Sequence, residues 1–384
     1  MSLRLSIIAY YVATFGTVGI TQPFLPIWLE SRGLGPAEIG IVLSAMMWVR
    51  VASTPLAARL TDRTGWRKAV PLVLSAAGVL ALLPLLGADG FALILCFLLL
   101  HVAIQAPVLP LVESLILATA RMRDLDYGRL RLWGSVAFIV TATLGGWFLA
   151  ESHPDWIIGF MVMGLALVSL TIWGVPARDA APATKRRGPL GTLLKSPLFL
   201  LFVLVSASNL ASHAVLHGMA SLHWRAAGLG GWVGALWSIG VVAEVALFAW
   251  SAAAHRRLGT VGLMLLGASA GVLRWTGSAL TVDLAPLLAL QVLHGLTFGA
   301  THLAAMRMLQ RAVPPDLAAS AQGLYSALCI GLVTGGVTAL SGPLYQALGG
   351  GAFWAMAGLS GLSVLAALAL GRFWREGDML VRER

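Results

Sequence analysis

Charge is what this sequence has least of. Only 11% of its 384 residues are Asp, Glu, Lys or Arg, less than half of the ~25% that a soluble domain carries. That excludes a water-facing globular surface. Cysteine is scarce too. Cys96 and Cys329 both lie inside apolar runs and read as small apolar side chains, not a disulfide. There is no GxxxxGK[ST] phosphate loop, and no polar stretch long enough to form a nucleotide-hydrolysing domain. No metal-ligand set and no nucleophile–base pair stand out, so the reading is of a protein that is not an enzyme and needs no cofactor.

What fills the chain instead is apolar: 58% of residues are hydrophobic and the mean hydropathy is +0.86. Twelve runs approach the ~20 residues needed to cross a bilayer: Leu5–Leu29, Ala37–Leu60, Val70–Leu86, Phe91–Ala120, Gly128–Ala150, Ile157–Val175, Leu198–Leu222, Gly231–Ala254, Val261–Leu280, Leu284–Leu309, Leu317–Leu348 and Phe353–Phe373. Only helices and closed barrels satisfy their backbone in lipid. These runs exceed the ~10 residues of a barrel strand and do not alternate. The expected fold is an all-α polytopic membrane protein with twelve transmembrane helices.

The net charge of +10 comes with a strong positional bias. Arg4, the clusters Arg59–Lys68, Arg121–Arg131, Arg178–Lys195, Arg256–Arg257 and Arg307–Arg311, and the four arginines from Arg372 onward hold 22 of the 26 Lys and Arg. All fall on one side of the twelve-span topology. The positive-inside rule then puts both termini in the cytoplasm, in a bacterial inner membrane. Basicity of this kind is topogenic and gives no reason to expect nucleic acid as a partner. The partners expected are a small-molecule solute and the bilayer, with a monomer as the simplest state.

The longest polar break, from Pro176 to Pro197, contains APATKRRGP. It divides the chain into bundles 1–175 and 198–384, joined by a cytoplasmic linker at 176–197. AARLTDRTGWRKAVPLVLSAAG in the first half is echoed by AAAHRRLGTVGLMLLGASAG in the second, with Gly65 aligned on Gly259. The same offset carries Arg50 to Glu244 and Glu113 to Arg307. An internal duplication of six spans, frequent in secondary transporters, explains this.

Charges inside spans are expensive and mark function by default. Arg50 lies in the second span, Glu113 in the fourth, Glu244 in the eighth and Arg274 in the ninth, and Arg131 opens the fifth. Glu113 and Arg131 fall at depths within roughly 5 Å of each other at 1.5 Å per residue, so a pair is expected. It would serve either substrate binding and coupling or the orientation of two helices. The excess of Arg50, Arg131 and Arg274 over Glu113 and Glu244 favours an anionic solute. Asn209, His213 and His217 recur at i, i+4 and i+8 and share one face. With no third ligand in sight they read as a polar wall, not a metal site. Tyr11 and Gln22 belong to a polar stripe on the first span, and His294 sits in the tenth. Gly145–Gly146 and Gly335–Gly336 are expected to let helices approach closely.

Asp62-Arg63-Thr64-Gly65-Trp66-Arg67-Lys68 resembles the cytoplasmic signature of the major facilitator superfamily, G-x-x-x-D-R-x-G-R-R, with Ala58 for the first glycine and Trp66 for an arginine. The resemblance implies two pseudo-symmetric six-helix bundles, alternating access, and a cytoplasmic gate at Asp62, Arg63, Gly65 and Arg67. P-x-x-P-L-V-E-S followed by Y-G-R-x-R-x-W-G-S is similar to the oligosaccharide, nucleoside and phenylpropionate permeases. In lactose-permease-like proteins a glutamate and an arginine eighteen residues apart bind substrate, the spacing of Glu113 and Arg131 here. GVVAEVALF, GVLRWTG and LHGLTFGATHLAAM resemble the phenylpropionate group more than the sugar group. Arg274 and His294 match an arginine and a histidine of the sugar permeases. The proton-carrying glutamate three residues beyond that histidine is Thr297 here, so the proton falls to Glu244, Glu113 or His294. The resemblance thus implies a proton-coupled symporter, with the proton as coupling ion. A proton-antiport exporter and a non-transporting sensor or scaffold are the alternatives.

Overall fold

The computed structural model describes residues 2–176, 193–314 and 317–374. Among these there is no strand, and twelve helical spans account for nearly all of the chain. They are α1 (Leu3–Ser31), α2 (Pro36–Thr64), α3 (Ala69–Leu86), α4 (Phe91–Met122), α5 (Tyr127–Glu151), α6 (Trp156–Ile172), α7 (Pro197–Ala226), α8 (Gly230–Ala249), α9 (Ser251–Leu280), α10 (Leu284–Ala312), α11 (318–348) and α12 (Ala352–Phe373). Most of the linker expected at 176–197 lies outside the described residues, as do the last ten residues of the chain.

The helices begin where local chemistry favours it. Ser2, Asp126 and Ser196 each accept a backbone N–H of the first turn of α1, α5 and α7. Pro36 opens α2, and the Glu38 carboxylate accepts the Gly35 N–H at 2.9 Å. Gly65 closes α2 with φ 71°, a left-handed conformation that a side chain would strain. The eighth run departs from its expected end at Ala254. The helix stops at Ala249, and the alanine-rich Ser251–Leu258 stretch already belongs to α9, which bends at Gly259 (φ 65°, ψ −176°). Alanine favours helix strongly enough to convert an expected loop into a helical turn. In α4, Pro107 interrupts the backbone ladder, leaving two helical segments that meet just before Glu113.

Helix bounds bear on the internal repeat independently of the residues that suggested it. Shifted by the distance from Gly65 to Gly259, Leu3 falls on Pro197, Ser31 on Arg225, Pro36 on Gly230 and Tyr127 on Ala321. Each lies within three residues of the corresponding helix end. Gly65 and Gly259 themselves both have positive φ.

Packing divides the chain into two compact units, Met1–Pro182 with Met219–Ser238, and Ala183–Gly218 with Ile239–Arg384. The first has a core of Ile7, Tyr10, Val112, Ile116, Val168 and Ile172, contributed by α1, α4 and α6. Its segment Met219–Ser238 is seated through small residues. A Cβ on Gly146 would lie 2.9 Å from the Gly234 nitrogen, and one on Gly234 would collide with the Ala142 carbonyl. Thr143 and Ser238 share a hydroxyl hydrogen bond at 2.8 Å, and Arg225 pairs with Glu30 at 3.5 Å. Gly145–Gly146 thus permits close approach as expected. Gly336 does not serve that purpose, since a Cβ there would meet open space. The second unit is built around Phe199, Phe202, Met264, Met308, Tyr325 and Ala367 from α7 and α9 to α12.

Away from the basic loops, the first unit carries a charged clamp. Arg32 reaches Asp155 at 2.5 Å and Asp89 at 3.1 Å, and the Trp28 indole donates to Asp155. Burial opposes the Arg32 charge, but these two carboxylates outweigh it and raise its pKa above the ordinary arginine value. The clamp ties the end of α1 to the α3–α4 and α5–α6 loops.

Candidate functional site

Two polar clusters lie among the apolar cores, one in each unit. In the first unit the expected pair forms: Arg131 Nε lies 3.7 Å from Glu113 Oε1. It is a loose pair. The shortest bond to the carboxylate comes from the Tyr127 hydroxyl at 2.6 Å, with the Tyr11 hydroxyl at 3.5 Å. The Arg131 guanidinium sits 3.6 Å from the Phe15 ring centroid and 5.4 Å from that of Tyr11. Cation–π contact and carboxylate therefore share its charge. Both Glu113 and Arg131 remain about 30% exposed, which leaves acceptor and donor capacity for a solute. Tyr127 precedes Arg131 by one helical turn on the same face of α5.

The second unit holds a denser network around Arg274, whose side chain is only 1% exposed. Its Nη1 donates to His294 Nδ1 and to Thr297 Oγ1, both at 3.0 Å, and its Nη2 to Gln291 Oε1 at 2.5 Å. The Trp275 ring lies 4.5 Å away. His213 Nδ1 faces the Asn209 carbonyl at 3.0 Å and its Nε2 faces the Thr297 hydroxyl at 3.1 Å. The Asn209 amide donates to the Thr297 carbonyl at 2.6 Å. His294 Nε2 points at Glu244 Oε2, 4.0 Å away. His217 stacks on His213.

This arrangement fixes the proton positions. Guanidinium can only donate, so His294 Nδ1 must accept and its Nε2 carries the hydrogen toward Glu244. A carbonyl can only accept, so His213 bears a hydrogen on Nδ1, and the Thr297 hydroxyl bridges Arg274 and His213 with the His294 carbonyl 3.4 Å away. A second proton on His294 requires Arg274 to let go.

The second-unit residues predicted from sequence, Asn209, His213, His217, Glu244, Arg274 and His294, are therefore brought together, as are Tyr11, Glu113 and Arg131 in the first unit. Gln22 is not: it is exposed on α1, eleven residues and about 16 Å along the helix from Tyr11. Arg50 lies at the centre of α2, apart from both clusters. Asp62, Arg63 and Gly65 are exposed around the end of α2, where Lys68 binds the Trp173 carbonyl at 2.7 Å. Sequence reasoning missed Tyr127 and Gln291, and it treated Thr297 only as a departure from a pattern. Their signal was spacing: Tyr127 lies one turn from Arg131, and Gln291, His294 and Thr297 recur every three residues.

Twelve helices in duplicated sixes, with charge networks set among apolar cores, define a secondary transporter. The sequence profile of the MFS_1 like family matches residues 3–356, and the chain belongs to that family of the major facilitator type. It is 34% identical over 361 residues to the probable 3-phenylpropionic acid transporter of Escherichia coli (strain K12), covering 90% of this chain and 92% of that protein. It is 28% identical over 380 residues to the maltose permease of Geobacillus stearothermophilus, covering 94% and 93%. The fold matches the crystal structure of a point mutant of the nucleoside transporter NupG with a TM-score of 0.84 at 17% identity, covering 97% of this chain and all of that one. The protein is a multi-pass bacterial membrane transporter of a small molecule, not an enzyme.

Proposed function

We propose that this transporter carries a small aromatic organic acid together with a proton by alternating access, with both termini cytoplasmic and a single chain as the working unit. The observation that carries the reading is the Arg274–His294–Glu244 array. An imidazole locked in one tautomer separates a buried cation from the carboxylate that balances it. Protonation of Glu244 removes that balance and leaves Arg274 in surplus by one charge. An anionic solute restores it, so binding of proton and anion reinforce each other. The likeness to a probable 3-phenylpropionic acid transporter supports the same solute class. Glu113 and Arg131, held by Tyr127 and Phe15, supply donors and an acceptor in the first unit. His213, His217 and Asn209 form the polar wall beside Arg274, and Asp62, Arg63, Gly65 and Arg67 form the cytoplasmic latch.

Uptake into proteoliposomes with an imposed inward proton gradient tests this. 3-Phenylpropionate, maltose and uridine are compared for wild type, Glu244→Gln and Glu113→Gln, with and without an uncoupler. Accumulation of the acid that is uncoupler-sensitive, and that becomes gradient-independent exchange in Glu244→Gln, is expected. Gradient-driven accumulation that survives Glu244→Gln removes the proton from that site. If protons drive the solute only outward, the carrier is an antiporter.

A further inference from the structure

Of the three arginines singled out within the spans, two are committed to neighbouring side chains. Arg131 shares its charge between Glu113, Tyr11 and Phe15, and Arg274 bonds Gln291, Thr297 and His294. The third, Arg50, differs in every respect. It is the central residue of α2 (Pro36–Thr64), fourteen residues and about 21 Å from either end, which places it at mid-membrane depth. Its backbone carbonyl accepts the Thr54 hydroxyl at 2.8 Å. Among the described residues, nothing hydrogen-bonds or ion-pairs with its guanidinium.

The direction in which Arg50 projects separates two meanings of that isolation. The exposed large apolar side chains of α2, Ile41 (46%), Trp48 (49%), Leu56 (61%) and Leu60 (50%), fall within an arc of about 120° and so define one side, the one suited to lipid. Arg50 follows Trp48 by two residues, about 200° around the helix, and projects from the opposite face. There it is exposed. The neighbouring His101 is committed to the Gly78 carbonyl at 2.9 Å and brings no negative charge. A bare guanidinium in lipid is costly, so an uncommitted one survives at this depth only against water or an incoming anion. Its planar donor fork matches a carboxylate bidentately.

We propose that Arg50 is the anchor for the carboxylate of the transported solute, and hence the residue that makes the carrier select a monocarboxylate over its neutral analogue. This rests on the organic-acid reading above and narrows it: the guanidinium that grips the acid group is Arg50, and the anion offsets the Arg274 charge without bonding to it. Binding of 3-phenylpropionate and of its isosteric amide, 3-phenylpropionamide, to the full chain in nanodiscs provides the test. Wild type is expected to prefer the acid by about 100-fold or more. Arg50→Gln is expected to reduce that preference below about threefold through loss of acid affinity alone, with amide affinity unchanged. Arg50→Lys, which keeps the charge and loses the fork, should fall between. Acid and amide weakened equally, or a preference retained in Arg50→Gln, overturns the proposal. If wild type binds neither probe, the aromatic-acid reading fails separately. A panel of other monocarboxylates and their amides then replaces the pair, and a wild type with no acid preference anywhere in it overturns the anchor too. Should Arg50→Gln misfold, Arg50→Cys in a background lacking Cys96 and Cys329 reports access. Modification by an anionic methanethiosulfonate is expected, and no reaction refutes an anion-accessible position.

Discussion

Replacing Thr297 by valine changes one hydroxyl for one methyl at constant shape, and the network around Arg274 sets what this costs. Thr297 is fully buried, and Arg274 and His213 are each 1% exposed, so water cannot take the place of the lost group. Two partners are orphaned: one N–H of Arg274 Nη1 and the His213 Nε2. A buried polar group left unmatched costs about 1–3 kcal/mol. Hydrogen bonds between transmembrane helices average about 0.6 kcal/mol, because the unfolded reference state in lipid also finds partners. A charged donor belongs at the upper end, and an imidazole nearer the lower. The sum is about 2–4 kcal/mol. For a unit of 150–250 residues each kcal/mol moves the melting temperature by about 2–4 °C, so a fall of roughly 4–16 °C is expected. Thermal unfolding in detergent, followed by intrinsic tryptophan fluorescence, measures it. Thr297→Ser keeps the hydroxyl and should melt within about 2 °C of wild type. If valine melts there too, or serine falls as far as valine, the bridge through Thr297 is not what holds the network.

Tyr127→Phe removes the shortest bond to Glu113 and should weaken solute uptake about tenfold while leaving the melting temperature nearly unchanged; an unaltered uptake curve would assign Glu113 to helix orientation only. Gly259→Ala forces a side chain into a backbone region reserved for glycine, at a cost of about 1–3 kcal/mol. Gly65→Ala, in the milder left-handed region, should cost about 1–2 kcal/mol; the melting temperatures of the two variants decide the order. Gly234→Ala drives a methyl into the Ala142 carbonyl and should cost about 1–3 kcal/mol by overpacking. A variant as stable as wild type would mean that α5 and α8 separate readily.

The membrane class, the twelve spans and the charged members of both clusters were legible because charge is so sparse in this chain. Against an apolar background each of Glu113, Arg131, Glu244 and Arg274 is conspicuous, and helix geometry does the rest. The uncharged members were hidden for the opposite reason. Hydroxyls are common in these spans and usually return a bond to their own helix, as Thr17 does to the Ala13 carbonyl and Ser208 to that of Leu204. Apart from its three-residue spacing from His294, nothing in the sequence separates Thr297 from them until His213 and Arg274 are placed on either side. Gln22 shows the converse error. It shares a face with Tyr11, but face says nothing of depth. The end of the eighth span was misplaced because hydropathy marks where lipid begins, not where a helix stops.

Three stretches of the chain, Leu216–Ala220, Gly295–Ala300 and Ser326–Thr334, are wound as π-turns. Each holds one residue more than the α-helix around it needs. In geometric terms each amounts to one extra residue accommodated within a continuous helix. The second stretch begins directly after His294; the ring of Phe298 within it stacks on that of His294, and His302 just past it stacks on Phe298. Losing one residue there would heal the backbone into a plain α-helix. It would also turn every side chain past that point by about 100°. Such a deletion would pass as silent to the fold, yet it would take Thr297 away from Arg274. Change by single-residue loss is therefore open to the scaffold of α10 and closed to its chemistry.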